Sequence, residues 1–444
     1  MPHGLTTLFL VDGEHHPETT LDAVRELEES EGLVPVALYF LGGTEKMKDL
    51  SELEPAGVEV IVADDPLAGI AGVLERFEPQ VVVDLSDLPV LGPALRLRLA
   101  AAALAHGAMY RGADFEFRPP RRESILSKPS CAIIGTGKRC GKTAVSAEMA
   151  RYLDRVGRNP VVVAMGRGGP AEPCVIAERD IGEDYLLSEL HKGMHAASDH
   201  YEDALISGVV TIGSRRCGGG MAGEPFVANC IEAARLADGL PAEVVIMEGS
   251  GSSIPPVATD AAVCVVSAAQ DIEEALGFLG SYRLLISDGV IITMAEEPFA
   301  SPHEIQELSE RIKWINGDIV IINTIFRPHP LKSIRGKKVF LVSTAPEEAG
   351  TLLQDYLEEH EGCAVVGRSH HLSDRRYLEE DLIRGAGEAE ILLTELKAAA
   401  VEVVAHFARD KVKEIVYFHN VPVTVGGEMG LEDFFEHVWQ KVVE

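Results

Sequence analysis

Short apolar runs alternate with amphipathic stretches along the first 125 residues. TLFLVDGE, VALYFLGG, VEVIVADD and VVVDLSD each carry an aliphatic core that closes on acidic or glycine residues, the pattern of a buried strand running into a loop. Between them, LDAVRELEES and AGIAGVLERF place apolar residues at helical spacing. Repeated strand–helix–strand units predict a parallel α/β sheet. RGADFEFRPPRRESILSKPS then breaks the rhythm with paired prolines and several charges, and a domain junction is expected there.

A second series starts at CAIIGTG. VVVAMG, AEVVIMEG, AAVCVVSA, GVIITMAE, DIVIINTIF and KKVFLVSTA read as buried parallel strands, most of them ending in Gly, Ser, Glu or Asn. Ligands of open parallel sheets gather at the carboxyl ends of strands, so those end residues matter. Further on, AEILLTELKAAAVEVVAHFARD (389–410) reads as one helix, and KEIVYFHN as a short strand after it.

The chemistry concentrates at GTGKRCGKT, residues 135–143. An apolar strand precedes it and a helical pattern follows, the setting a phosphate-binding loop requires. Backbone N–H groups at the helix start and the helix dipole favour a phosphate. Lys142 can reach the outer phosphates of a nucleotide, and the Thr143 hydroxyl can ligate Mg²⁺. Lys138 and Arg139 add positive charge. The loop is one residue out of step, because Thr136 stands five positions before Gly141, where glycine is customary. The expected nucleotide contacts are Thr136, Gly137, Lys138, Arg139, Cys140, Gly141, Lys142, Thr143 and Ala144. The fold expected is thus α/β: an N-terminal Rossmann-like parallel domain (1–125), then a P-loop NTPase-type parallel domain (126–444).

Composition sharpens this. A net charge of −30 argues against a nucleic-acid surface and against anionic membranes. It also makes arginines beside glycines informative. GRGGP carries Arg167 with Gly168 and Gly169; GSRRCGGG carries Arg215 and Arg216 with Gly218 and Gly219. Both read as glycine loops whose N–H groups and guanidinium forks suit a co-substrate with more than one anionic group. Glu248, ending AEVVIME before a glycine, suits a metal site. Asp12, Glu14 and His15 follow the first strand, match no standard zinc spacing, and are expected to face a substrate. Seven dispersed cysteines without a C-x-x-C pair, an N-terminus that reads as a strand and no long apolar run suggest a cytoplasmic protein.

The Gly-Thr before the loop, and VVIMEGSGSS after it, resemble dethiobiotin synthetase and related ATP-dependent ligases, whose glutamate helps to hold Mg²⁺. That likeness puts Thr136 in the first loop position and makes Asn323 the candidate for reading the adenine edge. The ordered set LVDGEH, GTGKRCGKT, GRGGPAEP, GSRRCGGGMAGEPF and MEGSGSSIPP is narrower. It resembles the cyclic 2,3-diphosphoglycerate synthetases of methanogenic archaea. The resemblance implies ATP-driven closure of 2,3-diphosphoglycerate to a cyclic diphosphate with release of ADP and phosphate. It implies ATP and Mg²⁺ as cofactors, with K⁺ a further candidate. Lys142, Lys138, Arg139, Arg215 and Arg216 would then be catalytic, and Arg167 with its glycines would bind substrate. A homodimer is expected as the commonest assembly. Two other readings share the loop: a carboxylate-activating ligase, and a nucleotide-dependent switch or assembly factor.

Overall fold

The computed structural model describes residues 4–47, 49–176, 185, 188, 199–396, 403–411 and 413–443. The chain forms two compact units. One runs to Arg121 and includes Ile272–Ile286; the other comprises Arg122–Asp271 and Ser287–Glu444.

In the first unit the strands lie in the order Glu59–Val62, Leu33–Phe40, Leu5–Val11, Val81–Asp84, Met109–Arg111 and Glu116–Phe117. All pairs are parallel except the last. Phe9, Val11, Leu38, Val81 and Val83 build the core with Leu21 and Val24 of the helix Pro17–Glu31. Pro17 opens that helix, where a missing N–H costs nothing, and Gly32 ends it at φ 70°. The sheet order reverses between Leu5–Val11 and Val81–Asp84. This is the switch point of a doubly wound sheet, as the Rossmann-like expectation requires. The short helices Ile272–Leu276 and Ser281–Leu285 belong to this unit, the second of them packed on Pro93–Ala105.

The second unit is built on a 13-stranded sheet. From Val210–Cys217 it passes through Pro160–Gly166, Val244–Glu248, Ser130–Gly135, Ala261–Ser267 and Gly289–Thr293 to Val320–Pro330, every pair parallel. Continuous Val/Ile runs suit these strands because both faces are covered. The helices Lys142–Arg155 and Leu431–Val443 share one apolar layer, in which Val145, Met149 and Leu153 meet Phe434, Phe435 and Trp439.

Val320–Pro330 is expected to be one more parallel strand, and that holds only for its first part. It pairs with Gly289–Thr293 as far as Asn323, shifts register there, and runs antiparallel to Glu414–Gly427 out to Pro330. Ile391–Glu395, Lys338–Val342 and Ala364–Ser369 follow in parallel with Glu414–Gly427. These last strands therefore run against the P-loop strands, and their carboxyl ends face back towards the P-loop.

Two further expectations change. The helix expected over 389–410 begins with the strand Ile391–Glu395, fully buried between neighbours on both edges; Ala405–Lys411 is helical, and 397–402 lie outside the described residues. A short apolar run carries no periodicity to separate strand from helix. Arg215 and Arg216 are not in a loop but end the strand Val210–Cys217. No helix among the described residues is long and apolar enough to cross a membrane.

Candidate active site

Gly135 ends a fully buried strand, and the chain wraps from Thr136 to Gly141 before the helix Lys142–Arg155. Its neighbours fix the loop from outside. Thr136 N–H donates to the Val265 carbonyl (3.2 Å) and its hydroxyl to Gln270 Oε1 (2.9 Å). Thr293 Oγ1 donates to the Cys140 carbonyl at 2.7 Å. Cys140 is fully buried and its thiol donates to the Gly137 carbonyl, so it fills space within the loop. Lys142, itself buried, spans the loop and donates from Nζ to that same carbonyl at 2.8 Å. Arg139 adopts φ 65°, uncommon for a side-chain-bearing residue, and its Nη2 donates to Ser373 Oγ at 3.0 Å.

Gly141 has two reasons to be glycine. Its φ is 93°, and a Cβ there would stand 2.3 Å from the Phe326 ring. Gly141→Ala should therefore destabilise the protein by roughly 2–4 kcal/mol from backbone strain and overpacking together. The midpoint of denaturant unfolding checks this, and an unchanged midpoint would contradict it.

Thr143, on the first turn of the helix, donates to Glu248 Oε1 at 2.8 Å. Glu248 is buried at the end of its strand, beside Ser130–Gly135. A hydroxyl and a carboxylate together at a phosphate loop are hard oxygen donors that would fit Mg²⁺. No cluster of three or more His, Cys, Asp or Glu suited to a metal occurs among the described residues.

Arg167 and Arg216 converge on the loop after Glu248. A Cβ on Gly251 would lie 2.5 Å from Arg167 Nη2 and 3.2 Å from Arg216 Nη2. Arg216 donates to the carbonyls of Gly218 (2.9 Å) and Ser250 (2.7 Å), tying two glycine segments together. Arg215 is the preceding strand residue, so its side chain takes the opposite face and is exposed. Gly169 is a packing glycine, since a Cβ would meet the Ser214 carbonyl at 1.9 Å. Gly218 has φ 73°, and a Cβ on Gly219 would crowd Ser253 Oγ. Asn323 stands where the parallel pairing ends, and its buried Oδ1 has no hydrogen-bond donor among the described residues.

Three family models cover nearly the whole chain: the cyclic 2,3-diphosphoglycerate synthetase N-terminal domain over residues 6–118, its P-loop domain over 130–325 and its C-terminal domain over 330–421. Similar proteins named cyclic 2,3-diphosphoglycerate synthetase occur in Rubrobacter xylanophilus (49% identical, 95% of each chain covered) and Methanothermobacter thermautotrophicus (44% identical, 95% of this chain and 93% of that one). Another, in Methanothermus fervidus, is 44% identical over 95% of this chain and 94% of its own. The chain belongs to the cyclic 2,3-diphosphoglycerate synthetase family.

The first unit gathers its own set of polar groups at the switch point. Asp12 is buried; its Oδ1 accepts from the N–H groups of Glu14 and His15 and meets His15 Nδ1 at 2.8 Å, while Oδ2 accepts from Asp87 N–H. Asp84 is committed to Arg96 (2.6 Å) and the Tyr110 hydroxyl (2.9 Å). Sequence reasoning brings out the strand ends in this unit, and the sheet order joins them.

Sequence reasoning missed Gln270, Thr293 and Phe326, which brace the loop, and the Ser373 contact. Phe326 could have been suspected from its place just beyond Asn323. The others give no local signal.

Proposed function

We propose that this chain closes 2,3-diphosphoglycerate into its cyclic diphosphate at the expense of ATP. The observation that carries the reading is the Thr143–Glu248 contact beneath an intact phosphate loop, with Arg167 and Arg216 a few residues away at Gly251. Family membership supplies the substrate.

ATP lies along the loop from Thr136 to Ala144. Backbone N–H groups and the helix start hold its phosphates, and Asn323 offers its buried acceptor to the adenine amino group. Lys142 exchanges the Gly137 carbonyl for phosphate oxygens, with Lys138 and Arg139 alongside. Thr143 and Glu248 would hold Mg²⁺, which supplies charge neutralisation to the transferring group. Arg167 and Arg216, with the N–H groups of Gly168, Gly169, Gly218 and Gly219, bind the diphosphoglycerate, and Arg215, turned to the opposite face, falls outside that set. Asp12, Glu14 and His15, expected from the sequence to face a substrate, lie in the first unit at its own switch point.

One phosphate of the substrate attacks the γ-phosphorus; the bond to the β-phosphate breaks and ADP leaves. The other phosphate then attacks the activated phosphorus, closing the anhydride ring, and inorganic phosphate leaves. Anion attacking anion is opposed by charge, so positioning and neutralisation are what the protein must supply.

The test is phosphorus NMR of protein, ATP, Mg²⁺ and 2,3-diphosphoglycerate. Cyclic product should accumulate in step with ADP and inorganic phosphate. ADP release without a cyclic product would overturn the assignment and favour carboxylate activation. We take the active form to be a cytoplasmic homodimer, with K⁺ a further candidate cofactor. Free cysteines throughout the described residues support a reducing compartment, and two-fold assembly is the commonest.

A further inference from the structure

The two phosphoryl steps proposed above move a proton, and the strands beyond Val320–Pro330 bring a suitable group to the phosphate loop. Ala364–Ser369 ends in a buried serine and is followed by His370 and His371. A turn then closes with Asp374 N–H on the His371 carbonyl at 2.7 Å. Ser373, within that turn, accepts the hydrogen bond from Arg139 of the phosphate loop. Asp374 caps the helix Arg375–Gly385, and Asp381 on that helix returns to the histidine. One oxygen of Asp381, Oδ2, accepts from Ser369 Oγ at 2.7 Å and meets His371 Nδ1 at 2.8 Å. Burial opposes ionisation of Asp381, but the hydrogen bonds from His371 and Ser369 outweigh it and hold the carboxyl below its usual range. Nδ1 of His371 therefore carries hydrogen, and Nε2 is the nitrogen that exchanges a proton. The side chain is half exposed.

The alternatives at these strand ends are occupied. Glu248 meets Thr143, Glu296 pairs with Arg327, and Glu395 takes hydrogen bonds from Thr344 and Asn420. His370 meets the Ala345 carbonyl through Nδ1, and burial lowers its pKa. His419 is driven down to about 3 by burial and by Arg151.

We propose that His371, oriented by Asp381, carries the proton between the substrate phosphate and the departing inorganic phosphate. The inference rests on the cyclisation proposed above. In the first step a monoprotonated substrate phosphate bonds to the γ-phosphorus, the bond to the β-phosphate breaks, and the phosphate proton passes to Nε2. In the second, the other phosphate attacks and the bond to the former γ-phosphoryl group breaks. Nε2 then returns the proton, so that hydrogen phosphate leaves and the His371 imidazole is neutral again. The charged and titratable groups around His371 are Asp381, Arg384 at 4.0 Å from that carboxylate, the adjoining His370, the Tyr377 ring at 5.3 Å, and Arg139 through Ser373.

The experiment compares full-length protein with its His371→Ala, His371→Asn and Asp381→Asn variants, using ATP, Mg²⁺ and 2,3-diphosphoglycerate, with kcat measured against pH. Because His371 must start neutral, wild-type kcat should fall as pH drops through its pKa. His371→Ala should lose roughly 10²- to 10⁴-fold in kcat and lose that acid limb, while its ATP affinity stays within about twofold of wild type by the independence of separate sites. Added imidazole should restore part of the rate. Asp381→Asn should keep the acid limb but displace it. His371→Asn retains a donor to Asp381, so full activity there would make the residue structural and overturn the proposal. So would a wild-type kcat and pH profile in His371→Ala. If the wild-type protein itself made no cyclic product, the cyclisation reading would fail first, and this one with it.

Discussion

Lys142→Ala is expected to lower turnover by about a thousandfold or more, the scale of losing a charged donor to the transferring phosphoryl group. The lysine is buried, and its ammonium crosses the loop to the Gly137 carbonyl. That contact is replaceable, because Thr136, Cys140 and Gly137 are held by Val265, Gln270, Thr293 and the Cys140 thiol. The loop should thus keep its shape without the ammonium, and the loss should fall on kcat. Thermal unfolding of the variant within a few degrees of wild type, together with an ADP-release assay, checks both halves. A variant that unfolds early would place the lysine in the fold instead.

Glu248→Gln should raise the Mg²⁺ concentration needed for half-maximal turnover by about 10- to 100-fold. The amide oxygen still accepts from Thr143, so the contact at 2.8 Å survives while the charge is lost. Titrating Mg²⁺ against the initial rate reads the effect. An unchanged midpoint with lowered kcat would mean that Glu248 acts on something other than the metal. Thr143 hydroxyl loss by Thr143→Ala would then separate the two partners.

The phosphate loop was readable because its residues are contiguous and their chemistry is local. That Glu248 ends a buried strand is legible from the apolar run before it, whereas its place beside Thr143 follows from pairing with Ser130–Gly135. The glycines after the arginine pair suggest a loop, and nothing in SRRC announces that sheet pairing with Pro160–Gly166 continues through Arg215. Strand alternation then parts two residues that look equivalent in sequence. The helix-favouring alanines after Ile391–Glu395 suggest helix there, whereas pairing on both edges decides its state. The contact of Arg139 with Ser373 joins positions 234 residues apart, and no local pattern encodes it. Contacts of that kind come only from topology, here the reversal at Asn323.

That reversal also bears on dissection of the chain. The family models divide between 325 and 330, inside the strand Val320–Pro330. A fragment cut there would lose the end of the strand together with Glu414–Gly427, the antiparallel partner of Ile322–Pro330. It would also lose Leu431–Val443, whose aromatics complete the layer over the phosphate-loop helix. The P-loop segment and the segment after it are therefore not exchangeable modules. Grafting either onto another protein means carrying the shared strand and the final helix together, and a truncated P-loop fragment exposes a raw sheet edge prone to self-association.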